Sequence, residues 1–506
     1  MTAPKRRGAR LASVCLWLVL AEQSGLSNAQ STAYGPGDPG IKDAAYFDVM
    51  RPLSQEMSAH VPDGFTMTAV GDLIISRPLS QYAVRFPDFS AALKLLTTAD
   101  VTYGNLETVI FDSRTFKGSA YPWDGDWTVS STPAVAADLK KMGFKMVSRA
   151  NNHALDFGLE GMRETSQHLD AAGIAHAGSG DTYGTARAPQ YVETTSGRIA
   201  LVSVASTFRP NSDAHPPAGV APGRPGISVL HLTSVLTLPA EAFAAAQKIR
   251  CAGDPQRCGD VSDAAALFGT KVRKGERYSR EYAMDPEDLA DIYKSIRSAQ
   301  ENADFVIVTI HSHECSLDCE SDAGPYGPGD FMKQFAHDAI DSGADAFVVT
   351  GNHNLGPIEV YHSKARGAKP IFYGLGSFFW SDIQEVLPHD LLQENRAMLA
   401  DAWTHPSRVT DYDLTAPLNT AWFAHPFTFQ SVVARCRFVG NQLSQIELHP
   451  VELGYGQTLT ESGIPHLVSD DAVAASIFNQ IVTQTAQFEL PNLNISYRKG
   501  VATIVP

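Results

Sequence analysis

From residue 65 onward the chain repeats one pattern. A short apolar run of strand length leaves through a glycine or polar residue, and a stretch with helical periodicity follows. The pattern predicts strands over 65–76, 101–111, 145–150 and 199–206. It predicts helices over 87–97, 134–142 and 159–172, with Gly143 and Gly173 as stops. It resumes with a helix opened by Asp285-Pro286, a strand over 305–310, and a helix from the capping residue Asp330 through Ile340. Strands over 346–350 and 370–379 follow. Alternation of this kind restricts the chain to a layered α/β architecture. An antiparallel pair, 427–439 and 443–453 around Gly440-Asn441, makes the sheets mixed. A last helix is expected over 470–488.

Two stretches break the rhythm. Residues 208–284, rich in Pro, Gly and Ala, read as an insertion or cap, and 382–424 are irregular. The expected organisation is therefore a signal peptide (1–29), a lead (30–64), a main domain (65–455) carrying both insertions, and a C-terminal helix and tail (456–506). In the first segment Lys5, Arg6, Arg7 and Arg10 precede an apolar run, 11–21. Ser27-Asn28-Ala29 then offers small residues for cleavage. The run is too short to cross a bilayer, so export to the periplasm or medium is expected, without a stable membrane span.

Cleavage would remove Lys5, Arg6, Arg7, Arg10 and Glu22, leaving 36 basic against 54 acidic residues and a net charge near −18. A surface so acidic repels nucleic acid, which is not an expected partner. In an oxidising compartment the short spacings Cys251/Cys258 and Cys315/Cys319 favour local disulfides, leaving Cys436 over.

The chemistry lies in the apolar runs and where they end. Val70-Gly71-Asp72 lies inside the first run and Gly104-Asn105-Leu106-Glu107 inside the second, each with a glycine ahead of its carboxylate. Ala150-Asn151-Asn152-His153, with Asp156 beyond, closes the third. His311-Ser312-His313-Glu314 follows 305–310, and Gly351-Asn352-His353 follows 346–350. Open α/β sheets present their reactive groups at the carboxyl ends of strands. Each cluster alone also suits a turn or a helix cap. Together they offer carboxylate, amide and imidazole donors without thiolate, a set that suits Mn, Fe, Zn or Mg. Two such ions would activate water and clamp both oxygens of a displacement. No glycine-rich phosphate loop and no Gly-x-Ser-x-Gly segment competes.

The order of these segments resembles the CapA family, poly-γ-glutamate capsule biosynthesis proteins related to calcineurin-like metallophosphoesterases. The matching pieces are Gly71-Asp72 with Arg77, Asn105-Leu106-Glu107, Ala150-Asn151-Asn152-His153 through Gly158, and Ala172-Gly173-Ile174. Further on come His311, Pro357-Ile358-Glu359 and 370–378. The resemblance implies a four-layer α/β/β/α sandwich with one or two divalent metal ions at the strand ends. It implies ligation by Asp72, Glu107, Asn152, His311 and His353. His153 would be a ligand or a catalytic acid, grouped with Asn152 and Arg77.

The chain departs from the family at two places. His311-Ser312-His313-Glu314-Cys315 stands for the family's His-Trp-Gly-x-Glu, and Gly351-Asn352-His353-Asn354-Leu355 for its Gly-His-His-Pro-His. Counted back from Pro357-Ile358-Glu359, His353 falls on the final histidine, and His313 is a candidate replacement for the missing one. The expectation is an exported metal-dependent hydrolase acting on an amide or γ-glutamyl polymer or peptide, in company with capsule-assembly proteins. Phosphoester hydrolysis, peptide epimerisation and a non-catalytic assembly role are the alternatives.

Overall fold

A computed structural model describes residues 60–121, 128–253, 264–267, 270–315, 327–381, 404–405, 426–458 and 460–506. The expected signal peptide and nearly all of 382–424 lie outside the described residues. Six strands carry the polar clusters or their immediate neighbours: β1 (Thr66–Ile75), β2 (Val101–Leu106), β3 (Met146–Ser148), β4 (Phe305–His311), β5 (Ala346–Thr350) and β6 (Ser377–Ser381).

Every residue of β1, β4 and β5 is buried, as continuous apolar runs require of strands covered on both faces. β1, β2, β3 and Ala175–Ala177 run parallel in one sheet of ten strands. A second sheet of six strands has the order Ile358–Ser363, Gly367–Phe372, β5, β4, Gly197–Ala205, Gln190–Thr194, with antiparallel pairs at its two edges. Both sheets contribute to one core. Met67, Ala69, Val101 and Met146 from the first sheet share it with Leu201, Phe305, Ile307 and Val348 from the second. Another core joins Leu73, Ile75 and Val147 to Phe89, Ala92 and Leu96 of helix Pro87–Thr97. Helices Pro286–Asn302 and Phe331–Ser342 lie against the second sheet.

One edge of β1 changes partner halfway along. Thr66 to Ala69 pair with the antiparallel strand Gln430–Val439, whereas Asp72 to Ile75 pair with the parallel β6. Gly71 sits at the changeover, where a Cβ would meet the Gly376 carbonyl oxygen at 1.7 Å. Only glycine permits that approach, and the resulting bend brings Asp72 out at the mouth of the sheet.

Four features differ from expectation. The apolar run at 370–379 is two strands, Gly367–Phe372 in the second sheet and β6 in the first, with Gly376 at φ +75° between them. Both halves are buried, so hydrophobicity alone does not mark the crossing. The 208–284 segment contains a four-stranded sheet built from Leu232–Pro239, Ala264–Leu267, Thr270–Gly275 and Ser279–Met284, beside helix Ala240–Gly253. Few residues of its described strands are fully buried, which erases the apolar alternation that identifies strands.

Asp330 precedes helix Phe331–Ser342 but does not cap it; its carboxylate accepts from the Tyr282 N–H at 3.0 Å. Asp285 does cap its helix, accepting from the amides of Glu287 and Asp288. The tail adds a hairpin, Ile495–Arg498 with Val501–Ile504, to the edge of the first sheet. Cys251 and Cys315 are disulfide-bonded. Cys258 and Cys319, which their spacing suggests as partners, lie outside the described residues. Cys436 is free and buried.

Gly71→Ala is expected to cost on the order of 3 kcal/mol of stability, because the opposing atom is backbone and cannot swing aside. Urea unfolding measures this. A second expectation concerns Asp345, which accepts from Lys369 at 2.8 Å, Arg366 at 3.0 Å and the Val306 N–H at 3.0 Å. Burial alone would push its carboxyl up, but the two cations and these hydrogen bonds hold it below the usual range. A depressed native value stabilises fully above the unfolded value, about pH 4, and is lost as pH falls through the native one. Asp345→Asn should flatten that acid limb and cost about 3–5 kcal/mol at neutral pH by leaving Lys369 buried without its counter-charge.

Candidate metal centre

The ends of β1, β2, β4 and β5 and the loop after β3 converge on one buried cluster. Asp72 lies within β1, just past the change of partner at Gly71, with 1% of its surface exposed. Its Oδ2 accepts from the Gly351 N–H at 3.2 Å and from His353 Nδ1 at 3.0 Å. Its Oδ1 accepts from Asn105 Nδ2 at 2.9 Å. Burial would raise the Asp72 pKa, but the hydrogen bond and charge of His353, with His311 and Asn105, outweigh it and hold the group at about 2.

Glu107 emerges from β2 fully buried. Its Oε2 is 3.9 Å from His353 Nδ1 and its Oε1 is 3.5 Å from His311 Nε2. His311 Nε2 also lies 2.9 Å from Asn152 Oδ1 and 3.0 Å from His313 Nε2. Two imidazole nitrogens this close share a proton or a cation. Burial first, then the neighbouring His313, pushes the His311 pKa well down, which favours the neutral ring that ligates metals.

His153 stands beside this group. Its Nε2 is 3.9 Å from Glu107 Oε1, and its Nδ1–H donates to Asp156 at 2.8 Å. Asp156 is held in turn by Arg209 at 3.0 Å and by the Val129 N–H at 2.7 Å. His353, with φ +58°, lies edge-on to Trp380 at 4.8 Å between ring centroids.

Asp72, Glu107, Asn152, His311, His313 and His353 are therefore brought together, with His153 adjacent. Arg77 is not brought in; it donates to the Tyr82 hydroxyl and the Thr460 carbonyl. Two trios have ligand atoms mutually within 4.8 Å: Asp72, Glu107 and His353, and Glu107, His311 and His313. Glu107 belongs to both. Two carboxylates and three imidazoles converging in a buried space are costly to hold without compensating positive charge, and their donor chemistry fits a divalent ion.

Several contributors were given no role by the sequence. Asn105 uses its whole amide: beyond Asp72 it lies 3.2 Å from His311 Nδ1 and accepts from Ser148 and Asn151. Arg209 comes from the edge of the segment read as an insertion. Trp380 comes from beyond a strand boundary that hydropathy did not mark. Asn105 and Asp156 were visible beside Glu107 and His153, but not the contacts they make.

Scaffold and cluster together define a mixed α/β protein with a candidate metal centre at its strand ends. The family model described as bacterial capsule synthesis protein PGA_cap matches residues 66–381, and the chain belongs to that family. It is 40% identical to the uncharacterized protein y4sH of Sinorhizobium fredii over 427 residues, 82% of this chain and 88% of y4sH. It is 22% identical to the capsule biosynthesis protein CapA of Bacillus anthracis over 62% of this chain and 59% of that protein. The same identity holds for the PGA biosynthesis protein CapA of Bacillus subtilis, over 64% and 65%.

Asn105→Leu tests the cluster's internal scaffold. It should cost about 1–3 kcal/mol for each buried partner left without its hydrogen bond, read by denaturant unfolding of the metal-free protein.

Proposed function

We propose that this chain is an exported, metal-dependent hydrolase of capsule or poly-γ-glutamate metabolism that cuts an amide or γ-glutamyl linkage. The observation that carries the reading is the membership of Glu107 in both ligand trios, the arrangement a pair of ions with one shared carboxylate requires. Family membership supports the polymer. The two sheets with a common core support a four-layer α/β/β/α sandwich of the calcineurin-like metallophosphoesterase type, spanning about 65–455. Export rests on the expected leader, 1–29.

In this reading Asp72, Glu107 and His353 would hold one ion, and Glu107, His311 and His313 a second, with the Asn152 amide oxygen beside His311. Such ions polarise a carbonyl and acidify water. The protein's own part is positioning and proton handling. Asp156 takes the Nδ1–H of His153, so the ring's orientation is fixed and Nε2 faces the cluster. From there Nε2 of His153 takes the proton that the attacking water gives up and passes it to the departing amine, the step an amide requires because an amide anion is too poor a leaving group. Arg209 and the Val129 N–H hold Asp156 against that pull.

The purified protein with Mn²⁺ is expected to release new amino termini from poly-γ-glutamate. Asp72→Ala should lower that rate by roughly 100-fold or more, and His153→Ala by about 10²–10⁴-fold. Phosphate release from an aryl phosphate without amide cleavage would replace this reading with a phosphoesterase. Exchange of a peptide α-proton without cleavage would replace it with an epimerase. Absence of any turnover would favour an assembly protein.

A further inference from the structure

Beside the candidate centre lies a cluster of oxygens that the proposed chemistry leaves unused. Glu314 Oε2 accepts from three hydroxyls at once: Ser206 at 2.6 Å, Ser312 at 2.8 Å and Thr207 at 3.0 Å. The same Thr207 oxygen accepts the backbone N–H of His313 at 2.7 Å. Two backbone bonds tie the region further, Ser206 N–H to the His311 carbonyl and Ser312 N–H to the Thr350 carbonyl, both at 2.9 Å. The turn after Gly197–Ala205 is thereby laced to the segment that follows β4, and β4 to the end of β5.

We infer that Thr207 and Glu314 are positioning residues that fix His313 for binding of the second cation. His311 needs little such help, since it ends a fully buried strand whose ladder runs to Ala205 and Thr350 on either side. His313 lies two residues past that strand, beyond the ladder, and is more exposed. Thr207 restores what the ladder no longer supplies by accepting the His313 N–H. Glu314 orients Thr207 by accepting a hydrogen bond from its hydroxyl, which leaves the Thr207 lone pairs directed at that N–H.

The oxygen that accepts three hydroxyls is committed to them, so it acts through Thr207 and not as a direct ligand. Its negative charge also offsets the positive charge of cations a short distance away. The inference rests on the metal-centre reading above and adds to it. His313 is a ligand because a Ser-Thr-Ser-Glu cluster around it holds it still.

The test is cation binding by the full chain, with Mn²⁺ and Zn²⁺ alone as probes. Chelator competition and metal analysis would give the number and affinity of bound ions. Wild type is expected to hold two. Thr207→Val, which keeps shape but loses the hydroxyl, should weaken one ion by roughly 10–100-fold and leave the other unchanged. Thr207→Ser should restore near wild-type binding, a recovery that a purely packing role for the threonine methyl would not produce. Glu314→Ala should behave as Thr207→Val does. If it fails to fold, the Thr207 pair decides alone.

Binding of both ions by Thr207→Val with wild-type affinity would overturn the inference and leave the metal centre standing. So would a Thr207→Ser variant as weak as Thr207→Val. A wild-type protein that holds no ion would overturn the centre and this inference together.

Discussion

Two carboxylates, Asp72 and Glu107, are buried side by side among imidazoles, and the surrounding structure is arranged around that burial. Removing such groups from water costs several kcal/mol each unless charge and hydrogen bonds compensate. Asp72 is compensated within the protein, by His353, Asn105 and the Gly351 amide. Glu107 lies between His311, His353 and His153 at 3.5–3.9 Å, distances that leave room for something positive between the donors. A shared carboxylate with imidazoles around it is a donor set that suits two cations.

The fold meets this constraint through backbone geometry. β1 exchanges one neighbour for another at Gly71, and the chain crosses from the second sheet to the first near Gly376. Those two glycines meet, and their contact sets the exit of Asp72. Asn105 then joins the ends of β1, β2, β3 and β4 through one side chain. Rigidity of this kind is what a site needs if its ligands are to hold a geometry rather than adapt to each ion.

Much of this was legible in the sequence, for physical reasons. Strands buried on both faces write themselves as continuous apolar runs, so β1, β4 and β5 were expected within a residue or two. Helix Pro87–Thr97 was equally plain, with proline at its start and an apolar stripe along one face. The ligand candidates stood out because Asp, Asn and His at the ends of such runs are expensive without a purpose. What stayed hidden depends on tertiary proximity. No local pattern marks Asn105 as the amide linking four strand ends, or Arg209 as the partner of Asp156 across 53 residues. The strands of the 232–284 sheet were missed because strands with so few buried residues lack alternation. The crossing inside 370–379 was missed because two buried strands in sequence look like one.

The altered Gly351-Asn352-His353 segment still delivers a histidine to the cluster. His353 reaches Asp72 and the vicinity of Glu107, while His313 meets His311, with the His313 and His353 rings edge-on at 5.8 Å between centroids. Two groups of donors therefore exist despite the missing histidine. The most direct measurement is anomalous diffraction from crystals of the full protein grown with Mn²⁺. The account predicts two peaks flanking the Glu107 carboxylate, one toward Asp72 and His353, the other toward His311 and His313. A single peak that Glu107 does not touch, or none within reach of these residues, would contradict it.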